Sequence, residues 1–249
     1  MTKINQLIRQ WSKGTIKTVK ELRNLGYSPQ ALKIYTNSNW LSLIGRGAYK
    51  LFDDLVGWEG GLNCLQKENN LHVGGKSALE YKGFGHYLSH KKTKIELFGN
   101  TNDKIPKWFK KQNWMKDVRI YKTDFLRFNS SEMFTMVKEN NIEINISIPE
   151  LAIFELLYLV PNDQSFAEAS LIFESLTTLR GDKLQHLLVK CNSIKVKRMF
   201  LYLSERYNHP WYREINMSKI FIGSGKRVIE KGGILNKKFK ITVPRNYEE

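Results

Sequence analysis

The sequence predicts an α+β protein: a winged helix-turn-helix over residues 1–51, a short linker at 52–57, and a larger mixed α/β domain over 58–249. Three observations carry this reading. Three short amphipathic helical patterns followed by two β-prone runs fill the first fifty residues; strand-like alternation and helical periodicity then intermix with no internal repeat; and the charge is unevenly placed. Of a formal net charge of +16, residues 1–51 hold nine Lys and Arg against one acid, residues 52–189 hold 17 against 18, and residues 190–249 hold 14 against 5. Two basic ends thus flank a neutral middle. Such ends favour a polyanion, because each cation that neutralises a phosphate releases condensed counterions.

In the first segment Ile4, Leu7 and Ile8 repeat at helical spacing, and Trp11 closes their packing. Gly14 breaks the pattern. Thr18-Val19-Lys20-Glu21 has the form of a capping box, so a second helix runs from there to Leu25, and Gly26 supplies the left-handed residue after its end. Ser28-Pro29 opens a third helix, Ser as N-cap and Pro at the first helical position, where no N–H is needed. Two helices joined by a tight glycine turn are the helix-turn-helix arrangement. At 100° per residue the third helix sets Ala31, Leu32 and Tyr35 on one side, Gln30, Lys33 and Asn37 on the other, and Ile34 at the boundary.

The polar side has the chemistry of a reading surface. Gln and Asn bond an adenine edge, Lys reaches guanine or phosphate, and Ile34 suits a thymine methyl. The runs 40–44 and 48–51 are β-prone and separated by Gly45-Arg46-Gly47, which reads as a wing with a basic tip. The candidate DNA-contacting residues are therefore Ser28, Gln30, Lys33, Ile34, Asn37, Arg46 and Lys50. An amphipathic helix with a merely solvated face competes with this reading for the third helix alone, and the wing beside it favours DNA.

Beyond the linker the pattern gives helices at 58–67 and from Ser77, strands around Ile95-Glu96-Leu97, Val118-Arg119-Ile120 and 142–146, and four helices at 149–160, 165–176, 183–191 and 194–207. A closing hairpin is expected, pairing 227–230 with 238–243 across Gly232-Gly233. Lys195, Lys197, Arg198, Lys226 and Arg227 form a candidate second basic surface.

Motifs that carry catalytic chemistry are weak. Gly74-Gly75-Lys76-Ser77 ends like a phosphate-binding loop, but Asn70 stands where that motif needs its first Gly, so a glycine turn with Ser77 capping a helix is the better reading. Gly223-Ser224-Gly225-Lys226 has the Gly-Ser pair of nucleotidyltransferases without the paired acids that hold magnesium. His86 and His90 are four apart with no third ligand near, and His72, His186 and His209 stand alone. Glu80-x-Lys82 is the tail of a nuclease signature, yet it falls on a helical pattern where an edge strand is needed. No catalytic residue, metal or cofactor is assigned.

Composition sets the remaining limits. With 41% hydrophobic and 26% charged residues the chain has globular composition. Two distant cysteines, Cys64 and Cys191, support neither a disulfide framework nor zinc, and the apolar run 151–160 is interrupted by Glu155 and too short for a bilayer, so a cytoplasmic protein is expected.

Taken in order, Leu25-Gly26, Asn39-Trp40-Leu41, Ile44-Gly45-Arg46-Gly47-Ala48-Tyr49, the run 72–80, Pro149-Glu150-Leu151 through Pro161, Ser193-Ile194-Lys195-Val196-Lys197-Arg198 and Gly223-Ser224-Gly225-Lys226-Arg227-Val228 resemble the AbiEi family. These are the antitoxins of bacterial type IV toxin-antitoxin systems, linked to abortive infection and phage resistance. Asn39 departs from the family pattern, which has Gly before the Trp, and puts the turn after the third helix in question. The resemblance implies a winged helix that represses its own operon at inverted repeats, a C-terminal domain that counteracts an AbiEii-like nucleotidyltransferase toxin without a stable complex, and no enzymatic activity. Two other classes fit parts of the residue pattern: a magnesium-dependent nuclease with a DNA-targeting N-terminal domain, and a basic RNA-associated scaffold.

Overall fold

The computed structural model describes residues 2–84, 94–126 and 131–247. Helix α1 (Lys3–Arg9) leads through a loop to β1 (Lys17–Thr18), which passes directly into α2 (Val19–Asn24). The Thr18 hydroxyl caps α2 by accepting the Glu21 N–H at 3.1 Å. Glu21 does not complete the box, because Lys17 and Lys67 take its carboxylate at 2.9 and 2.8 Å. Gly26, at φ +85°, makes the turn into α3 (Pro29–Asn37), capped by Ser28. Asn39 follows at φ +57°. Asn tolerates the left-handed region better than other non-glycine residues, so the turn after α3 forms without Gly.

The wing is β2 (Leu41–Gly45) and β3 (Ala48–Leu51), and with β1 they form an antiparallel sheet of order β1-β3-β2. Side chains alternate across it and serve two different cores. Leu41, Tyr49 and Leu51 face Leu7, Trp11, Leu22, Tyr27 and Leu32 of the three helices. Ile44 and Ala48 point the other way and join Ile16 in the large core of the body. The junction is close. A Cβ on Gly45 would stand 2.6 Å from the Cβ of Trp108, and one on Gly60 would stand 1.9 Å from the carbonyl oxygen of Gly14. The expected linker 52–57 is a brace, with Asp54 accepting the Gly14 N–H at 2.6 Å and Val56 packed on the main core.

The body begins with α4 (Trp58–Gln66), β4 (His72–Val73), α5 (Gly75–Tyr81), β5 (Lys94–Gly99), α6 (Lys107–Lys111), β6 (Asp117–Lys122), β7 (Phe134–Glu139) and β8 (Ile142–Ser147). The strands make a mixed sheet of order β6-β5-β4-β8-β7, with β5/β6 and β4/β8 parallel and the other neighbours antiparallel. Strand β4 is only two residues long and meets β8 at one pair. Further along β8 the amide of Gln66 substitutes for it, donating to the Asn145 carbonyl at 3.1 Å and accepting the Asn145 N–H at 3.0 Å.

Helices α4 and α5 pack on this sheet, and α7 (Pro149–Leu159) meets it at β8, with α8 (Phe166–Glu174), α9 (Gly181–Lys190) and α10 (Ile194–Arg206) packed around α7. Residues 151–157 of α7 are buried on every side, which marks it as the central helix, enclosed by α5, α8, α9 and α10. The chain ends in β9 (Arg227–Val228), β10 (Ile234–Asn236) and β11 (Ile241–Val243). The hairpin here is β10 with β11, closed by Asn236 accepting the Phe239 N–H, while β9 pairs with β11 in parallel. The expected pairing of 227–230 with 238–243 joins the right segments in the wrong sense, because Ile234 begins a strand that fits between turn residues.

Candidate nucleic-acid interface

On α3, Leu32 is buried and Tyr35 meets Tyr27 edge to face at 6.3 Å, which fixes the helix against its neighbours. That anchoring turns Gln30, Lys33 and Asn37 outward. All three are exposed, and none of their side chains makes a hydrogen bond or ion pair among the described residues. Ile34 is 61% exposed among them. Ser28 lies at the start of the same helix, its oxygen accepting the Ala31 N–H at 3.2 Å while its O–H is left to donate. Gln30, Lys33, Ile34 and Asn37 therefore lie on one solvent-facing side of the helix, with Ser28 exposed at its start.

The wing residues are placed differently. Lys50 is half-buried on the strand face that looks toward the body, and its ammonium donates to the Asp54 carbonyl at 2.6 Å. It does not extend the α3 surface, because strand alternation sends it to the opposite side from Leu41 and Tyr49. Arg46 is exposed, but the turn that carries it is held down: Gly47 accepts the Val19 N–H at 2.9 Å and Gly45 lies on Trp108. Arg46 stands at the rim of a cleft of about 520 Å³ between α2 and the body, beside Lys20, Lys67 and Lys104.

The second basic set is divided. Lys226 and Arg227 are exposed, whereas Lys197 and Arg198 are buried and do not belong to a surface. Arg198 has 0% exposure: its Nε donates to the Ile222 carbonyl at 2.7 Å and its Nη1 to the Lys240 carbonyl at 3.0 Å and to that of Gly225. Lys197 donates to the Phe221 carbonyl at 3.1 Å, and Lys195 donates to the carbonyls of Tyr158 and Val160. Burial lowers the pKa of all three, and Arg227 nearby adds to the effect on Arg198. These cations tie loops to α10; Ile194, Phe200 and Leu201 lie at helical spacing from them, but two adjacent charges read as a solvated face until the loop at 221–225 is seen to cover them.

The Gly74-Gly75 turn also departs from expectation. Helix α5 starts at Gly75, and Ser77 does not cap it; its hydroxyl donates to the Lys94 carbonyl and accepts the Glu96 N–H. The free N–H groups at the helix start are taken by the protein's own acids, Gly75 N–H by Glu155 at 3.0 Å and Lys76 N–H by Glu96 at 2.9 Å. A place that holds phosphate in other loops is filled internally. Glu155 also bonds His72 at 2.6 Å and Ser147 at 2.8 Å, so His72 is not alone. No sequence signal joins His72 to Glu155, since contact between them depends on the sheet and α7 being assembled.

Glu80 and Lys82 lie at the end of α5, where Glu80 is near Lys76 at 3.8 Å, and no strand carries them. His86 and His90 fall outside the described residues. Among the described residues there is no group of three or more His, Cys, Asp or Glu placed to hold a metal, and no helix long and apolar enough to cross a membrane.

The arrangement defines a two-part protein, a winged helix-turn-helix with an exposed polar helix face seated on an α+β body. Residues 92–244 match the family described as "Transcriptional regulator, AbiEi antitoxin, Type IV TA system", and residues 1–90 match its N-terminal domain. The chain belongs to the AbiEi antitoxin family of type IV toxin-antitoxin systems, a family of transcriptional regulators. No curated protein sequence matches significantly. Among solved structures, the RV2827C protein from Mycobacterium tuberculosis is similar at 12% identity with a TM-score of 0.57, covering 96% of this chain and 88% of that one. That likeness speaks to the fold.

Proposed function

We propose that the protein is a non-enzymatic transcriptional autorepressor and antitoxin of the cytoplasm. Helix α3 enters the major groove of double-stranded DNA at inverted repeats in the protein's own promoter, with Gln30 and Asn37 reading base edges, Lys33 reaching guanine or phosphate, Ile34 touching a thymine methyl and Ser28 donating to the backbone. Arg46, Lys226 and Arg227 contribute phosphate contacts. The body counteracts an AbiEii-like nucleotidyltransferase toxin without forming a stable complex with it. What supports the DNA part is the outward face of α3, where three side chains able to read bases have no hydrogen bond or ion pair among the described residues.

A mobility-shift assay on the promoter tests this. Sequence-preferring, salt-sensitive binding is expected, weakened in Lys33→Ala and altered in base preference by Gln30→Ala. Binding that is equal on unrelated duplexes, or unchanged in both variants, overturns the reading. Removing residues 1–51 would strip Ile16 and Ala48 from the main core, so the division of labour is tested with point variants. A chain carrying Gln30→Ala, Lys33→Ala and Asn37→Ala should lose operator binding and still relieve toxicity when co-expressed with the toxin.

A further inference from the structure

We propose that α6 and the turn before it form a phosphate-binding surface on the body, which holds the backbone of the DNA flanking a half-site while α3 reads the bases. The proposal rests on the DNA reading above and carries it from the winged helix onto the body.

The segment 104–116 holds five lysines, Lys104, Lys107, Lys110, Lys111 and Lys116, and no acid. Packing fixes the direction of three of them. Trp108 is seated against Gly45 of the wing, and a Cβ on Gly61 would meet the rings of Phe109 and Trp114 at 2.8 Å. The Trp114 indole N–H donates to the Phe109 carbonyl at 2.9 Å and locks the end of the helix. With Trp108 and Phe109 buried, Lys107, Lys110 and Lys111 fall at i, i+3 and i+4 on the outward side, and all three are exposed. Lys104 is exposed as well, and its backbone N–H donates to the Asn69 side chain at 3.0 Å, which holds the turn.

The neighbouring acids are already taken. Glu21 accepts from Lys17 and Lys67, Glu68 pairs with Lys20 at 2.9 Å, and Glu139 pairs with Lys116 at 3.6 Å. The side chains of Lys104, Lys107, Lys110 and Lys111 make no hydrogen bond or ion pair among the described residues. Like charges at this spacing repel one another and work against a short helix, and an anion laid across them removes that cost.

Position selects the anion. Helix α6 packs on β2, and Lys104 lines the same cleft as Arg46 at the wing tip. A DNA backbone that reaches Arg46 therefore has the lysines of α6 beside its path. All four cations are ammonium groups on flexible stems, which suit a line of phosphates without the planar fork that fixes direction. Such contacts add affinity and orientation but no base preference.

The test measures binding of the full chain against salt, on an operator duplex ending at the half-sites, on one extended by about ten base pairs at each end, and on an unrelated duplex of the longer length. The chain carrying Lys107→Gln, Lys110→Gln and Lys111→Gln should bind the extended operator at least about tenfold more weakly. Its slope of log affinity against log salt should be shallower by about two to three, at about 0.9 per lost phosphate contact. Affinity for the short operator should stay within about twofold, and the same three positions changed to Arg should restore wild-type binding. The unrelated duplex should show the same loss of slope, so α6 is judged even if α3 proves to have no base preference. An unchanged slope on both long duplexes, an equal loss on the short operator, or a loss confined to single-stranded RNA overturns the proposal.

Discussion

The imidazole of His72 and the carboxylate of Glu155 meet at 2.6 Å in the interior, with the other imidazole nitrogen 2.8 Å from the Asn70 carbonyl. Burial opposes the His72 charge, but the Glu155 charge and hydrogen bond outweigh it, and the His72 pKa rises above its ordinary 6.5. A raised histidine pKa stabilises the fold fully below the unfolded value, and that contribution is lost as pH rises through the folded value. The urea midpoint should therefore fall as pH is raised above 6.5. Glu155→Gln should lower stability by about 3–5 kcal/mol and abolish that dependence, since it leaves a buried partner uncompensated. A midpoint in the wild type that stays level through this range contradicts the charged pair.

At the seam between the two parts, Gly45 lies where any side chain would enter the space of Trp108. Gly45→Val should destabilise the chain by about 1–3 kcal/mol through overpacking. The effect should appear in limited proteolysis as cleavage between the winged helix and the body. Trp108→Ala in the same background should remove part of the penalty, because the clash needs both partners.

For DNA, the placement of Lys50 separates two models of the surface. Lys33→Ala should cost about 1–3 kcal/mol of operator affinity and shallow the salt dependence. Lys50→Ala, on the body side of the sheet and bonded to Asp54, should leave affinity within about twofold and instead lower the melting temperature slightly. Equal losses from both substitutions would mean that the sheet face carrying Lys50 meets DNA.

Arg198 holds the loop before β9 and the end of the β10–β11 hairpin through carbonyl oxygens of Ile222, Gly225 and Lys240. Arg198→Met should cost on the order of 2 kcal/mol or more, because those acceptors lose a charged donor. Amide exchange at Arg227 and Ile229, whose N–H groups bond the Lys240 and Thr242 carbonyls, should accelerate ahead of exchange in α7. Uniform acceleration throughout would show that Arg198 supports the whole body and not this sheet in particular.

Local chemistry made the first part of the chain legible. Thr18, Gly26, Ser28 and Pro29 each declare a helix end by a mechanism confined to a few residues, and the two wing strands are β-prone runs on either side of a glycine turn. The helices α7 to α10 were readable for the same reason, with Ser165 capping α8 as its spacing indicates. Contacts across the fold were not. Strand β4 is two residues long and has no period to detect, so the sheet that brings His72 to Glu155 is invisible along the chain. Lys197 and Arg198 carry the composition of a surface, and only the return of 221–225 across α10 encloses them. The direction in which Lys50 points likewise follows from what lies behind the wing.

The small β1-β3-β2 sheet gives one face to each half of the molecule, with Leu41 and Leu51 turned to the recognition helices and Ile44 and Ala48 to the body. Such a shared wall couples the winged helix to the body, so that a displacement of one is passed to the other. On the proposed autorepressor reading, two copies on an inverted repeat would have the tolerated gap between half-sites measured out by the whole 249-residue chain, and insertions in the operator would be felt as collisions or gaps between bodies far from the bases themselves.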